Sequence, residues 1–253
     1  MRLTTFFFVI ILFSLLVNAC NTPNSNEQTN KEQDTIKVAA ETQEPLVEEV
    51  LTAEEQAALT PDEVVTLFKE GNKRFMSNDL TARDHSAQVR KSTNAQFPKA
   101  IVLSCVDSRV PVEDVFDRGI GDIFVARVAG NFVNEDILGS MEFACKVSGS
   151  KLILVMGHEH CGAVKAAIDD VKLGNITTML TKIQPAVEMT TQIEGEKSSK
   201  NEALVHEVCV NNVKYNLEEI RKKSPILKEM EEKGEIQIVG AVYDMDAGEV
   251  TFM

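Results

Sequence analysis

The stretch Ala100-Ile101-Val102-Leu103-Ser104-Cys105-Val106-Asp107-Ser108-Arg109 is a short apolar run that opens into a polar turn bearing a thiol, an acid and a base. Its length and flanks suit a buried strand. About fifty residues later Leu152-Ile153-Leu154-Val155-Met156 leads in the same way into Gly157-His158-Glu159-His160-Cys161-Gly162. In an open parallel sheet the strand C-termini lie side by side and ligands collect there, so the two remote turns are expected to meet. Together Cys105, His158 and Cys161 offer a Cys2His set that suits one tetrahedral Zn²⁺ with a fourth position open.

Outward from these turns the chain alternates strand and helix. Asp122 to Arg127 and Gln237 to Tyr243 read as further core strands, and Glu249 to Phe252 as an edge strand. Helices are expected over Asp136 to Val147, Gly162 to about Leu173, Ile176 to Ile193, Ala203 to Lys222, and briefly from Pro225. This alternation argues for βαβ crossovers: an α/β fold with a central, mostly parallel sheet flanked by helices. Upstream, Thr60-Pro61-Asp62-Glu63 is a helix start, with Val64, Leu67, Phe68 and Phe75 following at near-helical spacing. Gly71 weakens that helix without cancelling it. The segment forms an N-terminal helical arm whose apolar stripe must lie on its own domain or on a partner.

The 253 residues carry a formal charge of −13, which argues against a nucleic-acid backbone or an anionic membrane surface as partner. Met1 to Ala19 has a basic Arg2 and an apolar run from Phe6 to Val17, and reads as an export signal. It ends Leu15-Leu16-Val17-Asn18-Ala19-Cys20, which resembles a lipoprotein signal with Cys20 lipidated, although Asn18 departs from the usual small residue. Residues 20–45 are polar and lack the apolar surface to fold, so a flexible tether is expected before a domain over 46–253. The chain should then be exported and held by an N-terminal lipid only, on the periplasmic or cell-surface side of a membrane.

Apart from Cys20, an even number of cysteines remains in an oxidising setting: Cys105, Cys145, Cys161 and Cys209. Two disulfides are the competing reading. Cys145 and Cys209 sit at apolar helical positions and read as core thiols, whereas Cys105 and Cys161 sit among ionic or metal-binding residue types. Two thiolates would cancel the charge of Zn²⁺, so activity rising toward alkaline pH is expected. The carboxylate of Asp107 can accept a proton from water at the metal or occupy the fourth position itself, a closed state. A bidentate pairing with Arg109 would hold it off.

Cys-x-Asp-x-Arg followed by His-x-x-Cys, within Asp107-Ser108-Arg109-Val110-Pro111, Arg127-Val128-Ala129-Gly130-Asn131 and Gly157-His158-Glu159-His160-Cys161-Gly162-Ala163, resembles the β-class carbonic anhydrases. The resemblance covers roughly Leu51 to Met253. It implies reversible hydration of CO₂ to bicarbonate and a proton by attack of zinc-bound hydroxide. Cys105, His158 and Cys161 would hold one zinc per chain, and Asp107 with Arg109 would be the catalytic dyad. The resemblance further implies that the Gly162 amide lies near substrate, that Gln96 donates to a substrate oxygen, and that Phe124 and Phe143 line an apolar CO₂ pocket. It also implies a homodimer or homotetramer with the helical arm reaching over the partner. Some members are controlled by bicarbonate at a second site that uses a tryptophan, an arginine and a tyrosine. Arg127 matches the arginine, but Val102 stands where the tryptophan would be, which counts against that control. No role is assigned to Glu159, and His160 is either a proton shuttle or a solvent-facing spacer. The alternative function is an exported binding lipoprotein of the same fold, disulfide-stapled or with structural zinc, that does no catalysis.

Overall fold

The computed structural model describes residues 45–253; the expected signal over 1–19, the lipidated Cys20 and the tether up to residue 44 lie outside the described residues. Strands β1 (Ala100–Ser104), β2 (Ile123–Arg127), β3 (Leu152–His158), β4 (Gln237–Tyr243) and β5 (Val250–Phe252) form one sheet in the order β2-β1-β3-β4-β5. All pairings are parallel except β4 with β5. β1 and β3 are buried along their whole length, as strands covered on both faces must be, and this is why they read as unbroken apolar runs.

Alternate residues of the strands feed two cores. Ile101, Leu103, Ile153 and Val155 point to one side, and Ala100, Val102, Leu154 and Met156 to the other. Among the described residues ten α-helices surround the sheet: α1 (Ala53–Ala58), α2 (Pro61–Met76), α3 (His85–Lys91), α4 (Val112–Val115), α5 (Glu135–Glu142), α6 (Gly162–Ile168), α7 (Gly174–Leu180), α8 (Gln184–Met189), α9 (Glu202–Lys223) and α10 (Pro225–Glu232). α9 and α10 contribute to the first core, α2 and α4 to the second.

Capping boxes at Thr52/Glu55 and Thr60/Glu63 start α1 and α2, the second followed by Pro61 as its sequence indicates. Val64 and Phe68 of α2 are fully buried and pack with Val115, Phe116 and the sheet of the same chain. The buried stripe of α2 is therefore used within its own domain. Gly71 lets α2 approach α4, since a Cβ there would lie 1.9 Å from Phe116 O.

Three expected helices have other bounds. The one opening at Gly162 stops at Ile168, and the chain turns through Asp170 at φ 50°. The helix expected over Ile176 to Ile193 divides into α7 and α8, because Pro185 has no N–H to continue a helical ladder and sits instead in the first turn of α8. α5 gives way to a π-helical turn, Phe143–Val147, closed by Ser148 N donating to Phe143 O at 3.0 Å.

Candidate active site

Cys105 follows β1 directly and His158 is the last residue of β3, and these strands are paired neighbours, with Leu103 opposite Val155. In this strand order the chain's crossovers leave β1 and β3 on opposite sides of a switch point, so their C-terminal ends frame a crevice. Cys161, at the start of α6, closes it. The donor atoms of Cys105, His158 and Cys161 lie within 4.8 Å of one another, and all three residues are buried.

This donor set fits zinc. The two sulfurs are 4.0 Å apart, close to the roughly 3.8 Å that two sulfurs about 2.3 Å from a tetrahedral zinc require. A disulfide needs about 2.05 Å, so this distance excludes a Cys105–Cys161 bridge. Cys145 and Cys209 are also free and buried, which leaves the described residues without a disulfide and removes the stapled alternative for them. His158 Nδ1 faces Glu159 O at 2.8 Å, while its Nε2 is buried with no hydrogen-bond partner. A carbonyl can only accept, so Nδ1 carries the proton and Nε2 presents a lone pair to the centre of the cluster. Between the thiols, the Cys161 side chain lowers the pKa of Cys105, helped by His158 and the Gly130 amide. Cys105 and burial together raise that of Cys161.

Asp107 Oδ2 stands 4.0 Å from His158 Nε2, at the open side of the cluster. Arg109 grips this carboxylate twice, Nε to Oδ1 at 2.9 Å and Nη2 to Oδ2 at 2.8 Å, and its backbone N–H adds a bond to Oδ1 at 3.0 Å. The Arg109 guanidinium holds the Asp107 carboxyl well below the usual carboxylate range. Gly162 is exposed at the first turn of α6, beside Cys161.

The substrate residues expected from the resemblance are not all brought here by one chain. Gln96 lies exposed ahead of β1, at the end of the strand away from Cys105. Phe124 is level with Ile101, three residues of strand or about 10 Å before the metal end. It packs edge-on with the half-exposed Phe143, ring centroids 6.1 Å apart, in a groove of about 690 Å³ along the edge strand β2. Within one chain, strand geometry puts these three at the sheet edge and its far end, away from the Cys105 turn. His160 takes a left-handed φ of 56° and sits 3.5 Å from Asp246, and Glu159 faces His206 Nδ1 at 2.5 Å.

Arg127 has a part that motif matching did not show. Its guanidinium donates to Cys105 O at 2.9 Å, Asp107 O at 2.9 Å and Val110 O at 2.7 Å, clamping the turn that carries the first ligand and the dyad. Val102 is buried in the sheet.

Residues 100–250 match the family model described as carbonic anhydrase. A carbonic anhydrase of Mycolicibacterium smegmatis is 33% identical over 189 residues, spanning 72% of this chain and 88% of the relative. Carbonic anhydrase 2 of Mycobacterium tuberculosis is 34% identical over 187 residues, spanning 72% and 87%. Among solved structures, the β-carbonic anhydrase CcaA superposes with a TM-score of 0.59 at 25% identity, covering 76% of this chain and 92% of its own.

Proposed function

This chain belongs to the β-class carbonic anhydrase family, and we propose that its Asp107–Arg109 dyad is what keeps the metal's open position available for the reaction. The activity is the reversible hydration of carbon dioxide to bicarbonate and a proton, with Cys105, His158 and Cys161 as the zinc site. Zinc held by these residues would supply a Lewis acid that makes water nucleophilic, the more so toward alkaline pH because two thiolates offset the ion's charge.

The observation that carries the reading is the double grip of Arg109 on Asp107 beside the unpartnered His158 Nε2. An ionised Asp107 has no proton to give, so its Oδ2 accepts a hydrogen bond from the attacking water and turns that water's remaining lone pair toward CO₂. The guanidinium fixes the carboxylate plane and competes with the metal for its oxygens, which disfavours the closed state. Gly162, with its N–H in the unpaired first turn of α6, is suited to steady a developing carboxylate oxygen. In Asp107→Ala, zinc should stay at one per chain while turnover falls by about 10²-fold or more, read by metal analysis and stopped-flow CO₂ hydration. Undiminished turnover would remove the dyad from the mechanism.

A homodimer completes the pocket in this reading. β2 is an edge strand whose residues are half-buried and flanked by the Phe124–Phe143 groove, so a second copy would cover apolar surface and bring aromatic residues and Gln96 toward a neighbouring metal site. Export and lipidation at Cys20 remain the reading of the leader, supported by Arg2, the Phe6 to Val17 run and the polar stretch behind it. Among the described residues no helix is long and apolar enough to cross a membrane.

A further inference from the structure

α9 presents His206, Cys209, Asn212 and Asn216 at spacings of three and four, one stripe of a helix. The stripe meets the segments that follow β2 and end β3. His206 pairs with Glu159, next to the imidazole ligand. Cys209 Sγ donates to the carbonyl of His158 at 3.3 Å, a contact allowed because Gly157 has no Cβ, which would lie 2.8 Å from that sulfur.

Asn212 and Asn216 are each 1% exposed, and their donors and acceptors can be ordered without ambiguity. Val133 N–H can only donate, so the Asn216 atom it meets at 2.8 Å is Oδ1. That turns Asn216 Nδ2 to Asn212, where it donates to the backbone O at 2.8 Å and to Oδ1 at 3.2 Å. With its Oδ1 engaged, Asn212 offers Nδ2 to Gly130 O at 2.8 Å. Gly130 in turn directs its N–H at Cys105 Sγ, 3.4 Å away. Its φ of 84° is left-handed, and a Cβ there would lie 2.4 Å from Ile183 Cδ1, so the position takes glycine and the polar contacts at its N–H and C=O hold the turn.

We propose that Asn212, oriented by Asn216, is a positioning residue that keeps the Gly130 N–H aimed at the Cys105 sulfur and so limits the charge this thiolate gives to zinc. A hydrogen bond to a ligating sulfur draws electron density away from the metal. Where two thiolates already balance the ion's charge, that withdrawal leaves zinc a stronger Lewis acid. A buried amide with a merely structural part would affect stability and nothing electronic at the metal. The inference rests on the reading of Cys105 as a zinc ligand, and its test separates the two.

The test replaces zinc by Co²⁺ in the full chain and follows the thiolate-to-cobalt charge-transfer absorption. In Asn212→Leu and Asn212→Ala, which vary bulk in opposite directions so that a folding failure of one leaves the other readable, cobalt stays at one per chain. The band moves to lower energy and CO₂ hydration by the zinc form falls about 10- to 100-fold. Asn72→Leu is the comparison. Asn72 is equally buried and bonds Val115 O, Gly248 O and Val250 N on the opposite face of the sheet. It should lower thermal stability and leave the band in place. A charge-transfer band present in the parent and unmoved in folded Asn212 variants overturns the role of Asn212 alone. A parent with bound cobalt and no such band removes the cysteines from the metal, and this inference falls with them.

Discussion

Asp117 shows how a single residue can stake a charge inside the protein. It is 1% exposed and has a left-handed φ of 48°. Arg74 Nε and Arg83 Nη1 each reach it at 2.5 Å and Thr81 Oγ1 at 2.7 Å, joining the end of α2 and the segment after it to the loop behind α4. Burial alone would raise its pKa, but Arg83, Thr81 and Arg74 outweigh burial and bring it down to about 2. Because this is below the unfolded value of about 3.9, the group's contribution to stability is complete above pH 4 and is lost as the pH falls through about 2. Asp117→Asn should therefore lower stability at pH 7 by about 3 kcal/mol, since two guanidinium groups lose their counter-charge. The gap between the two proteins should close toward pH 2 in denaturant titrations, and a gap independent of pH would show that the ion pairs are not its source. The same scale explains why the metal ligands were readable in the sequence. Each belongs to a contiguous motif at the end of an apolar run, and strand pairing does the rest.

At the scale of elements, legibility follows how local the determining contacts are. Thr60, Pro61 and Glu63 set the start of α2 through atoms three residues apart, and the start was readable. Gly71 read as a weakness of that helix, because nothing in its neighbourhood shows that Phe116 O lies 1.9 Å from where its Cβ would be. α9 is the larger omission. Its bounds were nearly right, yet the sequence reading gave Asn212 and Asn216 no part. Their partners, Gly130 and Val133, are more than eighty residues away in the chain. Cys209 read correctly as a core thiol, but its bond to the His158 carbonyl depends on the approach of α9 to Gly157.

On the whole-molecule scale, Gln96, Phe124 and Phe143 carry the difference between a chain and an assembly. A family resemblance transfers the residues of a complete site, whereas strand geometry places these three at the edge and far end of one chain's sheet. If a second copy covers β2, then Phe143→Glu, which puts a charge in the apolar groove, should shift the sedimenting species from dimer to monomer and lower CO₂ hydration. A parent that sediments as a monomer with full activity contradicts that assembly. For the leader, Cys20→Ser should move the protein from the membrane fraction to the soluble exported fraction, and an unchanged distribution would argue against a lipid at Cys20. The claim on which the rest depends is one catalytic zinc on Cys105, His158 and Cys161, and its most direct test is stopped-flow CO₂ hydration during titration of metal-free protein with Zn²⁺. Activity should rise in proportion to bound zinc, level off at one per chain, and increase toward alkaline pH. One zinc bound per chain with no hydration at any pH would contradict the account.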